Sequence, residues 1–227
     1  MKYGYVSRLT TKRLSLYLRC LNELESAGVK TISSQEFADH FHLNSAQMRK
    51  DLAYFGEFGV RGVGYYVSDL KDHLIKILGL DKKYNIVIVG AGNLGRALAD
   101  YAGFNTREFR VVALFDNARE KVGMKTKEGV PIHHVDDLDE IIKKEKVDIA
   151  VIAVPAHTGQ WALDRIMETG IKAILNFVPT RLKIPKGVEV NTVDLKIQME
   201  RLAFHLTDGW KKTKKILRKK IGRGRSG

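Results

Sequence analysis

Three glycines, Gly90, Gly92 and Gly95, stand in the spacing Gly-x-Gly-x-x-Gly inside Ile86-Val-Ile-Val-Gly-Ala-Gly-Asn-Leu-Gly-Arg-Ala-Leu-Ala99. An apolar strand runs into the first glycine and a helical pattern leaves the last, the context that gives this spacing a chemical meaning. Gly90 permits a tight turn, Gly92 lets the backbone approach a pyrophosphate, and Gly95 lets the helix lie close to the strand. The start of that helix offers free N–H groups and a positive dipole end to phosphate. Gly90, Ala91, Gly92, Asn93, Leu94 and Gly95 are therefore the expected phosphate cradle. A second apolar strand, Arg110-Val-Val-Ala-Leu-Phe115, ends in Asp116, 26 residues past Gly90. A carboxylate there accepts from both ribose hydroxyls and repels a 2′-phosphate, which predicts NAD rather than NADP, with Arg119 and Lys121 close behind.

A second set of residues suits recognition rather than nucleotide binding. Met48, Leu52 and Phe55 share one face of a helical pattern beginning at Ser45, which leaves Ser45, Gln47, Arg49 and Lys50 for the outer face. Gln and Arg can contact adenine and guanine edges in pairs of hydrogen bonds, while Lys and Ser hold phosphates. Arg61 follows in Gly56-Glu-Phe-Gly-Val-Arg-Gly-Val-Gly-Tyr-Tyr66, where glycines alternate with β-formers. That stretch predicts a short hairpin with Arg61 near its tip, a wing able to reach the minor groove.

The elements that must hold these residues are legible in part. Leu14, Leu18, Leu21 and Leu24 recur at helical spacing and predict a first helix ending near Gly28. Ser33-Ser-Gln-Glu36 is a capping box for a short second helix, and Asn44-x-x-Gln47 starts the third. Helix, turn and helix of this length match the motif that lays its last helix in the major groove. Ser68–Leu78 reads as a linking helix. Further strands are expected at Val130–His133, Val147–Ala153 and Lys172–Phe177, separated by helices at Asp137–Lys144 and Gln160–Glu168. Alternation of this kind gives a parallel, doubly wound sheet. Val154, Pro155, Asn176 and Phe177 fall at strand ends, the edge where such sheets bind ligands. The expected domains are 1–80, 81–193, a helix at 194–210 and a tail at 211–227. That helix carries Leu195, Met199, Leu202, Leu206 and Trp210 on one stripe, a face that needs a cover.

Composition bounds the rest. The formal net charge of +13 is concentrated in residues 211–227, which hold nine basic and no acidic side chains, so it does not by itself argue for nucleic acid. Cys20 is the single cysteine; an internal disulfide is excluded and a reducing cytoplasm fits. No signal peptide or membrane-length apolar run is expected, and the histidines lack metal-ligand spacing, so neither membrane nor metal is predicted.

The order winged helix-turn-helix, dinucleotide fold, terminal helix resembles the Rex family of redox-sensing transcriptional repressors. The resemblance rests on Gln47-Met-Arg-Lys-Asp-Leu-Ala-Tyr-Phe-Gly56, Arg61-Gly-Val-Gly-Tyr65, Gly90-Ala-Gly-Asn-Leu-Gly95, Tyr101-Ala-Gly-Phe104 and Gly170-Ile-Lys-Ala-Ile-Leu-Asn-Phe-Val-Pro179. It implies a homodimer on double-stranded operator DNA that is released when NADH binds and so senses NADH against NAD⁺. It also implies a C-terminal helix swapped between subunits, Arg19 and Asp194 as a coupling pair, and Tyr101 and Phe104 on the nicotinamide side. Two departures, Leu195 and Ala156-His-Thr-Gly159, bear on the shape of the nicotinamide pocket. The alternative is a small NAD-dependent dehydrogenase. Such an enzyme needs a substrate region and a general acid or base beside the nicotinamide, and residues 81–193 are accounted for by one nucleotide fold. A regulator, not an enzyme, is the expectation.

Overall fold

Helix α1 (Arg8–Ser26) begins where the Ser7 hydroxyl accepts the Thr10 N–H at 3.1 Å, and it buries Leu14, Tyr17, Leu18, Leu21 and Leu24 along one stripe. The computed structural model describes residues 6–206, which divide between Lys83 and Tyr84 into two compact units. In the first, strand β1 (Thr31–Ile32) leads into α2 (Ser34–His40) and α3 (Ser45–Ala53). The Ser33–Glu36 capping box is formed in both directions, and Asn44 Oδ1 accepts the Gln47 N–H at 2.8 Å. These caps satisfy N–H groups that a helix start leaves without partners. Met48 and Leu52 are buried, and they join Phe37, Leu14 and Leu21 in one core; α4 (Val67–Ile77) packs on α1 through Leu70 and Leu74.

Two expectations change here. Helix α3 stops at Ala53, so Phe55 meets the core from the loop beyond it. The hairpin is narrower than its glycine pattern suggests. Val60 and Gly64 exchange a single pair of backbone hydrogen bonds at 2.7 and 2.9 Å around an Arg61-Gly62 tip. The outgoing arm, β2 (Tyr65–Tyr66), then pairs antiparallel with β1 instead of with its own incoming arm.

The second unit is a six-stranded sheet, every neighbouring pair parallel. Its strands are β3 (Tyr84–Val89), β4 (Phe109–Asp116), β5 (Ile132–His134), β6 (Ile149–Ile152), β7 (Ala173–Asn176) and β8 (Glu189–Thr192), in the order β5-β4-β3-β6-β7-β8. The order reverses between β3 and β6, which opens a crevice at the carboxyl ends of the strands. Strand β3 is buried on both faces: Val87 and Val89 meet α6 (Leu138–Glu145) and α7 (Gly159–Glu168), while Ile86 and Ile88 pack on the side of α5 (Asn93–Ala99). Strand β8 was not expected, since Glu189-Val-Asn-Thr has one buried side chain, Val190.

Helix α8 (Leu195–Leu206) is capped by Asp194, whose Oδ1 accepts the N–H groups of Lys196 and Ile197 at 2.9 and 3.2 Å. None of its side chains is buried; Leu195, Met199, Leu202 and Leu206 of the expected stripe are each at least 60% exposed. Trp210 and the basic run 211–227 lie outside the described residues.

Candidate nucleotide site and DNA-reading face

Parallel register decides which residues meet at the crevice. Val89 is level with Phe115 and Ile152, and Ile152 with Asn176, so the residues after them reach one edge of the sheet. Gly90 turns there with φ +108°, and a side-chain carbon on it would lie 2.3 Å from the Ala153 carbonyl oxygen. A carbon on Gly95 would lie 1.8 Å from the Gly90 carbonyl oxygen, so helix α5 sits as close to the strand as backbone allows. Gly92 differs. A carbon there meets nothing within 4 Å and points into open space at the wall of a cavity of about 560 Å³. The three glycines thus divide into two required by the protein's own backbone and one that leaves room for a ligand.

Asp116 lines the same cavity and is 8% exposed. Its carboxylate accepts from the Ala91 N–H at 2.8 Å, the Lys121 ammonium at 2.9 Å and the Ala118 N–H at 3.0 Å. Burial pushes this carboxyl up, but Lys121 and the two N–H groups outweigh it and hold it below the usual carboxylate range. An ionised acceptor beside the glycine loop, with its charge balanced by Lys121, suits ribose hydroxyls. The residues present therefore fit the adenosine half of a dinucleotide. Val154 and Pro155 also line the cavity, together with Val135, His157, Thr158 and Trp161.

Not every expected site residue reaches this cavity. Asn93 and Leu94 are exposed on the first turn of α5. Tyr101, 57% exposed, stands edge-on to Phe104 at 5.6 Å between ring centroids. Phe104 lines a separate apolar hollow of about 330 Å³ over β3, β6 and β7. Asn176 is fully buried; its amide accepts from the Val178 N–H at 3.0 Å and donates to the Thr192 hydroxyl at 3.2 Å, and Phe177 packs in the same core as Ile86 and Ile88. The segment Ala156-His-Thr-Gly159 places His157 and Thr158 in the cavity that holds Asp116.

On the first unit, Arg49, Lys50 and Arg61 are exposed, and Ser45 and Gln47 are half-buried. Arg49 Nη1 donates to the Ser34 hydroxyl at 2.7 Å, and the Ser45 hydroxyl to Gln35 Oε1 at 3.0 Å, which ties α3 to α2. The Gln47 amide donates to Asp51 Oδ1 at 2.9 Å. Asp51 is 4% exposed and also takes Arg13 Nε at 2.5 Å, Arg13 Nη2 at 2.7 Å and the Tyr17 hydroxyl at 3.0 Å. Sequence reasoning missed this cluster. Its signal was an acid lying beside the buried Met48 and Leu52 stripe. Arg19 is exposed on α1 and Asp194 half-buried.

Comparison with known proteins covers both units. Family models described as "Putative DNA-binding protein N-terminus" and "CoA binding domain" match residues 5–53 and 81–180. The redox-sensing transcriptional repressor Rex of Carboxydothermus hydrogenoformans is 47% identical over 206 residues, 91% of this chain and 99% of that protein. The protein of the same name from Streptomyces coelicolor is 47% identical over 88% of this chain and 77% of its own length. Among solved structures, RSP in complex with β-NAD⁺ and operator DNA superposes with a TM-score of 0.88 at 37% identity, covering 99% of this chain and all of that one. RSP in complex with β-NADH gives 0.81 at the same identity, over 94% and 99%.

Proposed function

This chain belongs to the Rex family of redox-sensing transcriptional repressors, and we propose that it binds operator DNA through α3 and the wing and is released when NADH occupies the crevice of the second unit. The observation that carries this reading is the pairing, in one chain, of an outward-facing cationic recognition helix with a separate crevice holding an open Gly92 and a buried, ionised Asp116. The second unit acts as a sensor and not as a catalyst. When bound, the nicotinamide ring supplies a charge that differs between its oxidised and reduced forms. The chain's own part is to hold the phosphates at Gly90–Gly95 and the ribose at Asp116, with Tyr101, Phe104, Val154, Pro155, Asn176 and Phe177 as the proposed surroundings of the rest. CoA carries a phosphate on its adenosine ribose, which an acid at that position disfavours; NAD is the better partner.

Release requires that the ligand bind two arrangements of the protein with different affinity. The exposed apolar residues of α8 support a homodimer in which that helix is covered by a second copy, with 194–210 as the exchanged segment and Arg19 and Asp194 as the pair whose contact differs between arrangements. The domain limits 1–80, 81–193 and 211–227 belong to the same proposal. No helix among the described residues is long and apolar enough to cross a membrane. The cytoplasm, where operator and nicotinamide pool meet, is the proposed location.

The test is a DNA-binding titration with NADH, NAD⁺ and NADPH at fixed salt, on the parent and on Lys50→Ala and Arg61→Ala. NADH should release the parent, with NADPH far weaker. Both variants should bind DNA less tightly while binding NADH as before, and loss of a phosphate contact should lower the salt slope by about one. Undiminished DNA binding by both variants would remove α3 and the wing from the interface.

A further inference from the structure

The crevice has one wall for which the ribose and phosphate contacts have no use. Trp161, in the first turn of α7, lines the cavity beside Asp116 yet keeps 46% of its surface exposed. A large indole half open to water at a ligand cavity is an unfilled contact. The base of a nucleotide hangs from its ribose by one glycosidic bond, so a ribose seated on Asp116 confines its base to this same cavity. The other aliphatic residues lining it, Val89, Val135, Ala153, Val154 and Pro155, present no flat ring of comparable size. Phe115 also borders the cavity, but it is fully buried and has no ring face to offer. Trp161 offers one, and His157, four residues earlier, is exposed at the same mouth.

We propose that Trp161 is the stacking platform for the adenine of the dinucleotide, an assignment that rests on the nucleotide reading of this crevice. A purine and an indole bury matching flat surfaces when they stack, and base–aromatic stacking is a substantial, geometry-tolerant contribution. The indole is neutral and meets the half of the ligand that is the same in both redox forms. Trp161 therefore sets how tightly the site holds either form and leaves the preference between them unchanged.

The experiment uses the full chain and its Trp161→Phe and Trp161→Ala variants, titrated with ADP-ribose, NADH and NAD⁺ by calorimetry, with indole emission recorded for the parent. Trp161 is exposed, so both variants are expected to fold, which circular dichroism checks. ADP-ribose should quench the parent's emission, and Trp161→Ala should bind it about tenfold more weakly, near the lower end of measured stacking contributions. Trp161→Phe should fall between. NADH and NAD⁺ should weaken by the same factor, leaving their affinity ratio as in the parent. Equal ADP-ribose affinity in parent and Trp161→Ala overturns the stacking role while leaving the nucleotide site standing, and so does a shift of the ratio without a loss for ADP-ribose. A parent that fails to bind ADP-ribose overturns the nucleotide reading and this proposal together.

Discussion

Asp51 is the residue on which the recognition helix is hung. Four donors converge on its two oxygens, one from α3 itself and three from α1, 34 to 38 residues earlier in the chain. Breaking a buried pair by deleting one partner costs about 3–5 kcal/mol, and since Arg13 keeps 32% exposure the expectation for Asp51→Ala is about 2–3 kcal/mol, after discounting for solvent. Burial pushes the Asp51 carboxyl up, but the hydrogen bonds from Arg13, Gln47 and Tyr17 outweigh it and hold it below the usual carboxylate range. A depressed acid contributes stability that is present above its unfolded value, about 3.9, and is lost as pH falls through the folded value. Urea midpoints taken from pH 7 to pH 3 should accordingly fall more steeply for the parent than for Asp51→Asn, with the divergence below about pH 4. Parallel curves for the two proteins would show that the carboxylate is not what couples this unit to acid.

At the scale of elements, the glycine loop separates two effects that a sequence motif cannot. Gly95→Ala drives a carbon against the Gly90 carbonyl and must push α5 off the strand, so thermal melting should drop and ligand binding fall with it. Gly92→Val fills only the open space at the cavity wall. It should melt like the parent, bind DNA like the parent and ignore NADH; NADH release of this variant would rule out the loop as the cofactor's seat. What the sequence revealed follows the same division between local and distant causes. The starts of α2 and α3 were legible because Ser33, Glu36, Asn44 and Gln47 cap within three residues, and α1 because its leucines repeat on one face. Strands β1 and β2 were not, since two residues become a strand only by pairing Ile32 with Tyr65 across the unit. Trp161 escaped notice for a related reason: only the fold brings the start of α7 to the cavity of Asp116, more than 40 residues earlier in the chain.

Across the whole molecule, Asp194 carries two duties that must be tested apart. Its carboxylate caps α8 through Lys196 and Ile197, and its charge is the proposed partner of Arg19. Asp194→Ala removes both, and loss of a cap costs about 1 kcal/mol of helix stability on its own. Asparagine caps as well as aspartate, so Asp194→Asn isolates the charge. Linkage is reciprocal: whatever factor NADH imposes on DNA affinity, DNA imposes on NADH affinity. Asp194→Asn should shrink both factors equally, from a coupling of about 1–3 kcal/mol in the parent, while dimerisation measured by sedimentation stays as it was. Coupling that survives in full, by both titrations, would take the pair out of the mechanism.

The unequal reasons for the three loop glycines reach beyond this one protein. Gly90 and Gly95 answer to the fold, because an added carbon would collide with the carbonyl oxygen of Ala153 or of Gly90. Gly92 answers to an outside molecule. In a lineage whose members ceased to need the nucleotide, selection would relax at position 92 and persist at 90 and 95, since the sheet must still close. Descendants that keep the outer glycines and vary the middle one would be repressors that have gone deaf, recognisable by that single letter before any of them is purified.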